Sequence, residues 1–161
     1  MKLDMHPGPA PEHGWLVHRA EHPSRADRRQ ELVDAYAERL QGLGWVAADE
    51  VNWLRLCLEE VFVNAMVHGN EGDPALPVTV SLRDDGAAWE MLVADRGDGF
   101  SASEVPDPED AACLLYEHGR GILLMQGWLD AVSWYDSGAT ILMRRRKSGR
   151  AARKNGCPAP T

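Results

Sequence analysis

Glu60 and Asn64 stand four residues apart in the run Leu58-Glu59-Glu60-Val61-Phe62-Val63-Asn64-Ala65-Met66-Val67-His68-Gly69-Asn70. At about 100° per residue they lie about 40° apart on a helix, whereas Glu59 falls about 140° from Asn64. A carboxylate and a carboxamide on one helical line can set a general base beside an oxygen donor for a hard cation such as Mg²⁺. His68 continues that line by one turn. The plainer alternative is the solvent face of an amphipathic helix. Against it, Val61, Phe62, Val63, Met66 and Val67 crowd the stripe.

A second group is Val93-Ala94-Asp95-Arg96-Gly97-Asp98-Gly99-Phe100. Gly97-x-Gly99-x-x-Ala102 has the spacing of a dinucleotide-binding turn, but the Ser-Ala-Ser-Glu-Val-Pro that follows opens no helix, and that motif requires one. Asp95 offers different chemistry: a carboxylate at a strand end can accept a hydrogen bond from an exocyclic amine. Gly97 and Gly99 would let backbone approach a flat base, or simply form a turn. A third group, His118-Gly119-Arg120-Gly121-Ile122, opens an apolar helical run. Free N–H groups at a helix start suit phosphate, and Arg120 could add a charged contact, unless the glycines are only a hinge. The P-loop pattern GxxxxGK[ST] is absent.

These groups need elements to hold them. Gly14–Ala20 reads as an edge strand closed by Pro23. Ser24 with Asp27 resembles a helix start, and Val33, Tyr36, Ala37 and Leu40 recur at helical spacing until Gly42 and Gly44. Asp49 is a suitable cap for a second helix running to about Val67. Pro77–Arg83 alternates with period two, Asp84-Asp85-Gly86 turns, and Ala88–Ala94 returns. Residues 95–121 form a long Gly/Asp/Pro-rich loop with an apolar patch at Ala111–Tyr116. A helix at Ile122–Leu129 and strands at Ala131–Tyr135 and Thr140–Arg145 complete an α+β order. The expected architecture is a two-layer sandwich, a mostly antiparallel sheet with helices on one face.

The 161 residues suit one such unit. Expected boundaries are a flexible arm at 1–13, the folded unit at 14–146 and a basic disordered tail at 147–161. Residues 1–143 carry 10 Lys/Arg against 25 Asp/Glu, net −15, while 144–161 carry 7 Lys/Arg and no acid, net +7. An acidic body argues against a nucleic-acid grip, and the tail lacks the aromatics that stack bases. It also makes a phosphate-rich ligand a puzzle, since the overall field repels it. Cys57, Cys113 and Cys157 form no CxxC pair, which fits a reducing cytoplasm. No stretch has the length of a membrane span, and Met1–Gly14 lacks a signal-peptide core.

Each signal is modest, but their order is specific. ExxxN on a helix, DxGxG after a strand, GxG opening a helix, then Gly138-Ala139-Thr140 in a strand resembles the GHKL ATPase superfamily over roughly residues 14–146. The wording NAMVHGN, DRGDGF and GRGILLM is most similar to its anti-sigma factor serine kinases. The resemblance implies a Bergerat-type ATP-binding fold. It implies Glu60 as catalytic carboxylate, Asn64 as ligand of a phosphate-bridging Mg²⁺, and Asp95 as acceptor of the adenine amine supported by Thr140. Gly97 and Gly99 would line the base pocket, and Gly119, Arg120 and Gly121 the phosphates. The implied activity is phosphorylation of a serine on a STAS-type anti-anti-sigma protein, with a sigma factor as competing partner and a homodimer as the working form. The alternative is a non-catalytic ATP-binding switch that sequesters a partner. Two features depart from the family pattern: a lid with only Gly119 and Gly121, and the two terminal segments.

Overall fold

The computed structural model describes residues 3–101, 103 and 118–149. Among these, the strands are β1 (Asp4–Met5), β2 (Trp15–Pro23), β3 (Pro77–Asp84), β4 (Ala88–Ala94), β5 (Ala131–Tyr135) and β6 (Thr140–Arg146). They join in one sheet ordered β1-β5-β6-β4-β3-β2, antiparallel throughout except where β1 runs parallel to β5. Helices α1 (Arg29–Gly42), α2 (Val51–Val63) and α3 (His118–Trp128) form the second layer. This is the α+β sandwich expected from the sequence.

The period-two run in β3 buries Val78, Val80 and Leu82. Register sets Val80 opposite Val93 and Leu82 opposite Met91, and β4 in turn sets these opposite Ile141 and Met143. That apolar face meets the helical stripes Val33, Tyr36, Ala37 and Leu40 of α1 and Leu54, Cys57, Leu58, Val61 and Phe62 of α2 in one core. Each fully buried Val, Leu or Phe among them contributes about 1.5–3 kcal/mol by leaving water. The hairpin turn is held by Asp84 Oδ1, which accepts the Gly86 N–H at 2.8 Å.

Neither expected helix cap forms. A 3₁₀ turn at Ala26–Arg28 precedes α1, and the Ser24 hydroxyl instead donates to Leu76 O at 2.6 Å. Asp49 sits inside a 3₁₀ turn, Ala48–Glu50, ahead of α2. The second helix also does not stay α-helical to Val67. From Asn64 to Gly69 it widens into a π turn, closed by the Asn70 N–H on Ala65 O at 2.9 Å. Such widened turns recur at functional sites because they re-aim the residues that end a helix. The third helix starts at His118, four residues before the expected Ile122.

Both terminal segments contain structure that composition did not suggest. β1 and β2 occupy opposite edges of the sheet, so residues 6–14 must cross it. Five strand spacings of ~4.8 Å are within reach of nine extended residues at ~3.3 Å each. The crossing is anchored by Asp136 N–H on Gly8 O at 2.8 Å, His13 Nδ1 against Glu90 Oε1 at 3.1 Å, and Arg83 Nε on His13 O at 3.0 Å. The expected loose arm is therefore tied down at both ends. Likewise Lys147 is an ordered partner of Asp84, the Ser148 hydroxyl donates to Glu50 Oε2 at 2.6 Å, and Gly149 packs against Gly44 O. The sequence patch 111–116, Cys113, Cys157 and residues 150–161 lie outside the described residues.

Candidate functional site

Asp95 follows the last residue of β4, where Ala94 pairs with Thr140 of β6, and its own N–H donates to Ala139 O at 2.9 Å. Asp95 Oδ1 accepts the Gly97 N–H at 2.8 Å. The rest of the carboxylate lies against Gly69, where a Cβ would fall 2.3 Å from both Cγ and Oδ2. A Cβ on Gly97 would fall 2.3 Å from Gly69 O. These two glycines let the end of the second helix touch the loop after β4, backbone to backbone. Burial pushes the Asp95 carboxyl up to about 6, only partly offset by the Gly97 N–H.

The opposite wall is a turn at Asp136–Gly138 whose φ angles are +53°, +57° and +102°. Its Ser137 O accepts the Phe100 N–H at 3.0 Å, and Gly99, at φ +80°, has no room there for a Cβ. Thr140 is buried, and its hydroxyl donates to Asp136 Oδ2 at 2.7 Å. Thr140 thus stands beside Asp95 along the backbone, but its proton serves the turn.

Glu60 and Asn64 are half-buried on one line of the second helix, with Asn64 opening the π turn. The first turn of α3 rests on Glu60: a Cβ at Gly121 would sit 1.9 Å from the Glu60 carboxyl carbon. Gly119 and Arg120 belong to the same turn, with the Arg120 side chain outside the described residues. His68 is exposed. Among the described residues no cluster of three or more His, Cys, Asp or Glu could cage a metal.

One organising residue escaped the sequence reading. Asn70, fully buried, donates through Nδ2 to Ser24 Oγ at 2.8 Å and to Leu76 O and Pro77 O at 3.1 Å, and its Oδ1 accepts the Arg96 N–H at 2.7 Å. An Asn after a helix-ending Gly reads as an ordinary turn residue. Only its place in the HGN wording marked it.

The six-strand mixed sheet with its layer of three helices is consistent with the two-layer sandwich of a histidine kinase-like ATPase. The histidine kinase-like ATPase domain family matches residues 23–145, and the chain belongs to that family. It is 30% identical over 104 residues to serine-protein kinase RsbW of Bacillus licheniformis, covering 60% of this chain and 65% of that protein, just under two thirds. It is 28% identical over 108 residues to serine-protein kinase RsbW of Bacillus subtilis (strain 168), covering 63% and 68%. It is 26% identical over 107 residues to an anti-sigma F factor of Geobacillus stearothermophilus, covering 60% and 70%. Family membership supports ATP use. Among the described residues no helix is long and apolar enough to cross a membrane.

Proposed function

We propose that this chain is a cytoplasmic, ATP-dependent serine kinase and anti-sigma factor that phosphorylates a STAS-type anti-anti-sigma protein. The observation that carries the proposal is one continuous helical segment, residues 51–69. It meets α3 at Glu60 and Asp95 at Gly69. Nine residues separate those contacts, ~13 Å at helical rise, a span that suits a nucleotide with its base at one end and its phosphates at the other. The names of the kinase and anti-sigma relatives point the same way.

In this reading Asp95, mostly ionised at neutral pH, accepts the adenine 6-amine through the carboxylate edge not used by Gly97. Thr140 supports it from β6 through its strand pairing with Ala94 and its hold on the Asp136 turn, while Gly97 and Gly99 keep the pocket flat. Glu60 takes the proton of the incoming serine hydroxyl as the Ser Oγ–P bond forms and the bond to the β,γ-bridging oxygen breaks, releasing ADP. Gly119, Arg120 and Gly121 present the head of α3 to the phosphates. Asn64 would hold Mg²⁺ as a single oxygen donor. That donor set fits an ion held mainly by substrate phosphates and water. When bound, the ion would offset phosphate charge. These contacts act at short range, where a net-acidic surface screened beyond ~8–10 Å counts for less. A sigma factor would compete with the STAS protein, and the working form would be a homodimer.

The test incubates the chain with Mg-ATP and candidate STAS proteins and seeks one phosphoserine by mass spectrometry. Glu60→Gln is expected to bind ATP normally and to lose transfer by about 10²–10⁴-fold. Wild-type transfer by this variant overturns the role of Glu60. ATP binding by the wild type with no transfer to any partner would favour the non-catalytic switch.

A further inference from the structure

We infer that Asn70 is a positioning residue that sets the base-recognition loop on the helix carrying Glu60 and Asn64. This rests on the proposed contact between Asp95 and the adenine amine. Asn70 is the first residue after the π turn, and its Oδ1 takes the N–H of Arg96, next in sequence to Asp95. The bond spans the seam where Gly69 touches both Asp95 and Gly97. The approaches of Gly69 to Asp95 and of Gly97 to Gly69 are steric contacts that fix separation but not lateral register, which the Asn70–Arg96 hydrogen bond adds. The other end of the carboxamide is clamped: two Nδ2 hydrogens serve Ser24 Oγ, Leu76 O and Pro77 O, and the Ser24 hydroxyl itself donates to Leu76 O. Ser24 and Asn70 are both buried, so this network is shielded from water. A fully satisfied buried amide has one favourable orientation, which makes it a rigid ruler rather than a loose tether. The Arg96 side chain is not part of the device; it points out to Glu21 at 3.3 Å.

The inference separates base recognition from general stability. Removing the carboxamide frees the Arg96 N–H, lets the 95–97 loop slide on Gly69, and moves Asp95 out of line with the amine. The probes are ATP and purine riboside triphosphate, which lacks the 6-amino group, with dissociation constants measured by calorimetry. The wild type is expected to prefer ATP by about tenfold or more, the value of a hydrogen bond to a charged group. Asn70→Ala is expected to bring that ratio to about one by weakening ATP alone, with the analogue within about twofold of wild type. Ser24→Ala loses one clamp but keeps Asn70 on Arg96, so it should lower the melting temperature and retain the preference. If Asn70→Ala does not fold, Asn70→Asp serves, since it keeps an oxygen for the Arg96 N–H. That variant is expected to retain the preference despite lower stability, and losing it overturns the inference. A folded Asn70→Ala with undiminished preference, or one that weakens both nucleotides equally, also overturns it while leaving the Asp95 contact standing. A wild type with no preference overturns the Asp95 contact and the inference together.

Discussion

The two ends of the sheet are built on opposite terms. At the end where β3 turns into β4 and β6 finishes, charge is matched. Lys147 Nζ lies 2.7 Å from Asp84 Oδ1, and Arg145 Nη2 lies 3.1 Å from Glu50 Oε1. Arg144 reaches both Asp85 and Glu90, and His13 adds a second partner to buried Glu90. Arg145 also stacks over the Trp128 ring at 4.3 Å. At the other end, where β4 finishes and β6 begins, Asp95 pairs with no cation among the described residues. Glycines at 69, 97, 99 and 138 take the places where side chains would fill the space. One end commits its charges to the fold; the other holds a half-buried carboxylate among glycines, where nucleotide binding is proposed. Stored electrostatic strain at a binding site, compensated elsewhere, is the pattern expected of a functional surface.

The largest effect that would break this contrast is at the paired end. Lys147 and Asp84 are both nearly inaccessible, at 3% and 5% side-chain exposure. Lys147→Ala should leave the Asp84 carboxylate buried without its cation and cost about 3–5 kcal/mol in denaturant unfolding. ATP affinity of the folded fraction should stay unchanged. A loss below 1 kcal/mol would mean that water reaches the pair and that the far end is not the anchor argued here.

Asp95→Asn is the opposite experiment and a smaller one. An Asn keeps an oxygen for the Gly97 N–H but turns the other atom from acceptor to donor, so ATP binding should weaken about 10- to 100-fold. The free protein should gain stability at neutral pH, of order 1–2 kcal/mol once solvent screening of the half-buried group is allowed for. Calorimetric titration and thermal melting of the free protein check the two signs. A variant both weaker in binding and less stable would show Asp95 to be a structural residue.

The sequence made one end legible and hid the other. The candidate site residues could be proposed from the sequence because chemistry constrains spacing: Glu60 and Asn64 share a helical line, and Asp95 with Gly97 and Gly99 follows a strand. The hairpin was visible because Val78, Val80 and Leu82 alternate with half-buried neighbours. The paired end was not. Arg144 and Arg145 read only as the end of a strand and Lys147 as the start of a tail, because their acids, Asp85, Glu50 and Asp84, lie 59 or more residues away in sequence. The crossing of residues 6–14 was hidden for a similar reason. A Pro-rich run shows no period, and only the placement of β1 and β2 at opposite edges makes it a strap. Asn70 combined both difficulties, a local turn signal with bonds reaching 46 residues back and 26 ahead.

The smallest effect uses pH to set the two kinds of region against each other. His18 and His22 share the Tyr36 hydroxyl at 3.0 and 2.7 Å beneath β2. Burial holds both imidazoles below the usual 6.5, with Arg39 and His22 adding to the effect at His18. The unfolded chain therefore takes up their protons first, and their contribution to stability is lost as pH falls below about 6.5. Asp95 acts in the other direction. Its folded value of about 6 lies above the ordinary 3.8, so the folded state takes up that proton first and gains stability as pH falls from about 6 toward 3.8. In the wild type the two slopes partly offset each other. In Asp95→Asn the histidine slope is no longer opposed by Asp95, so its melting temperature should fall more steeply on acidification. The gap by which it exceeds wild type at pH 7 should close by about pH 4. A gap that stays constant across that range would show that Asp95 is not desolvated in solution, and the site end would then be as well compensated as the paired one.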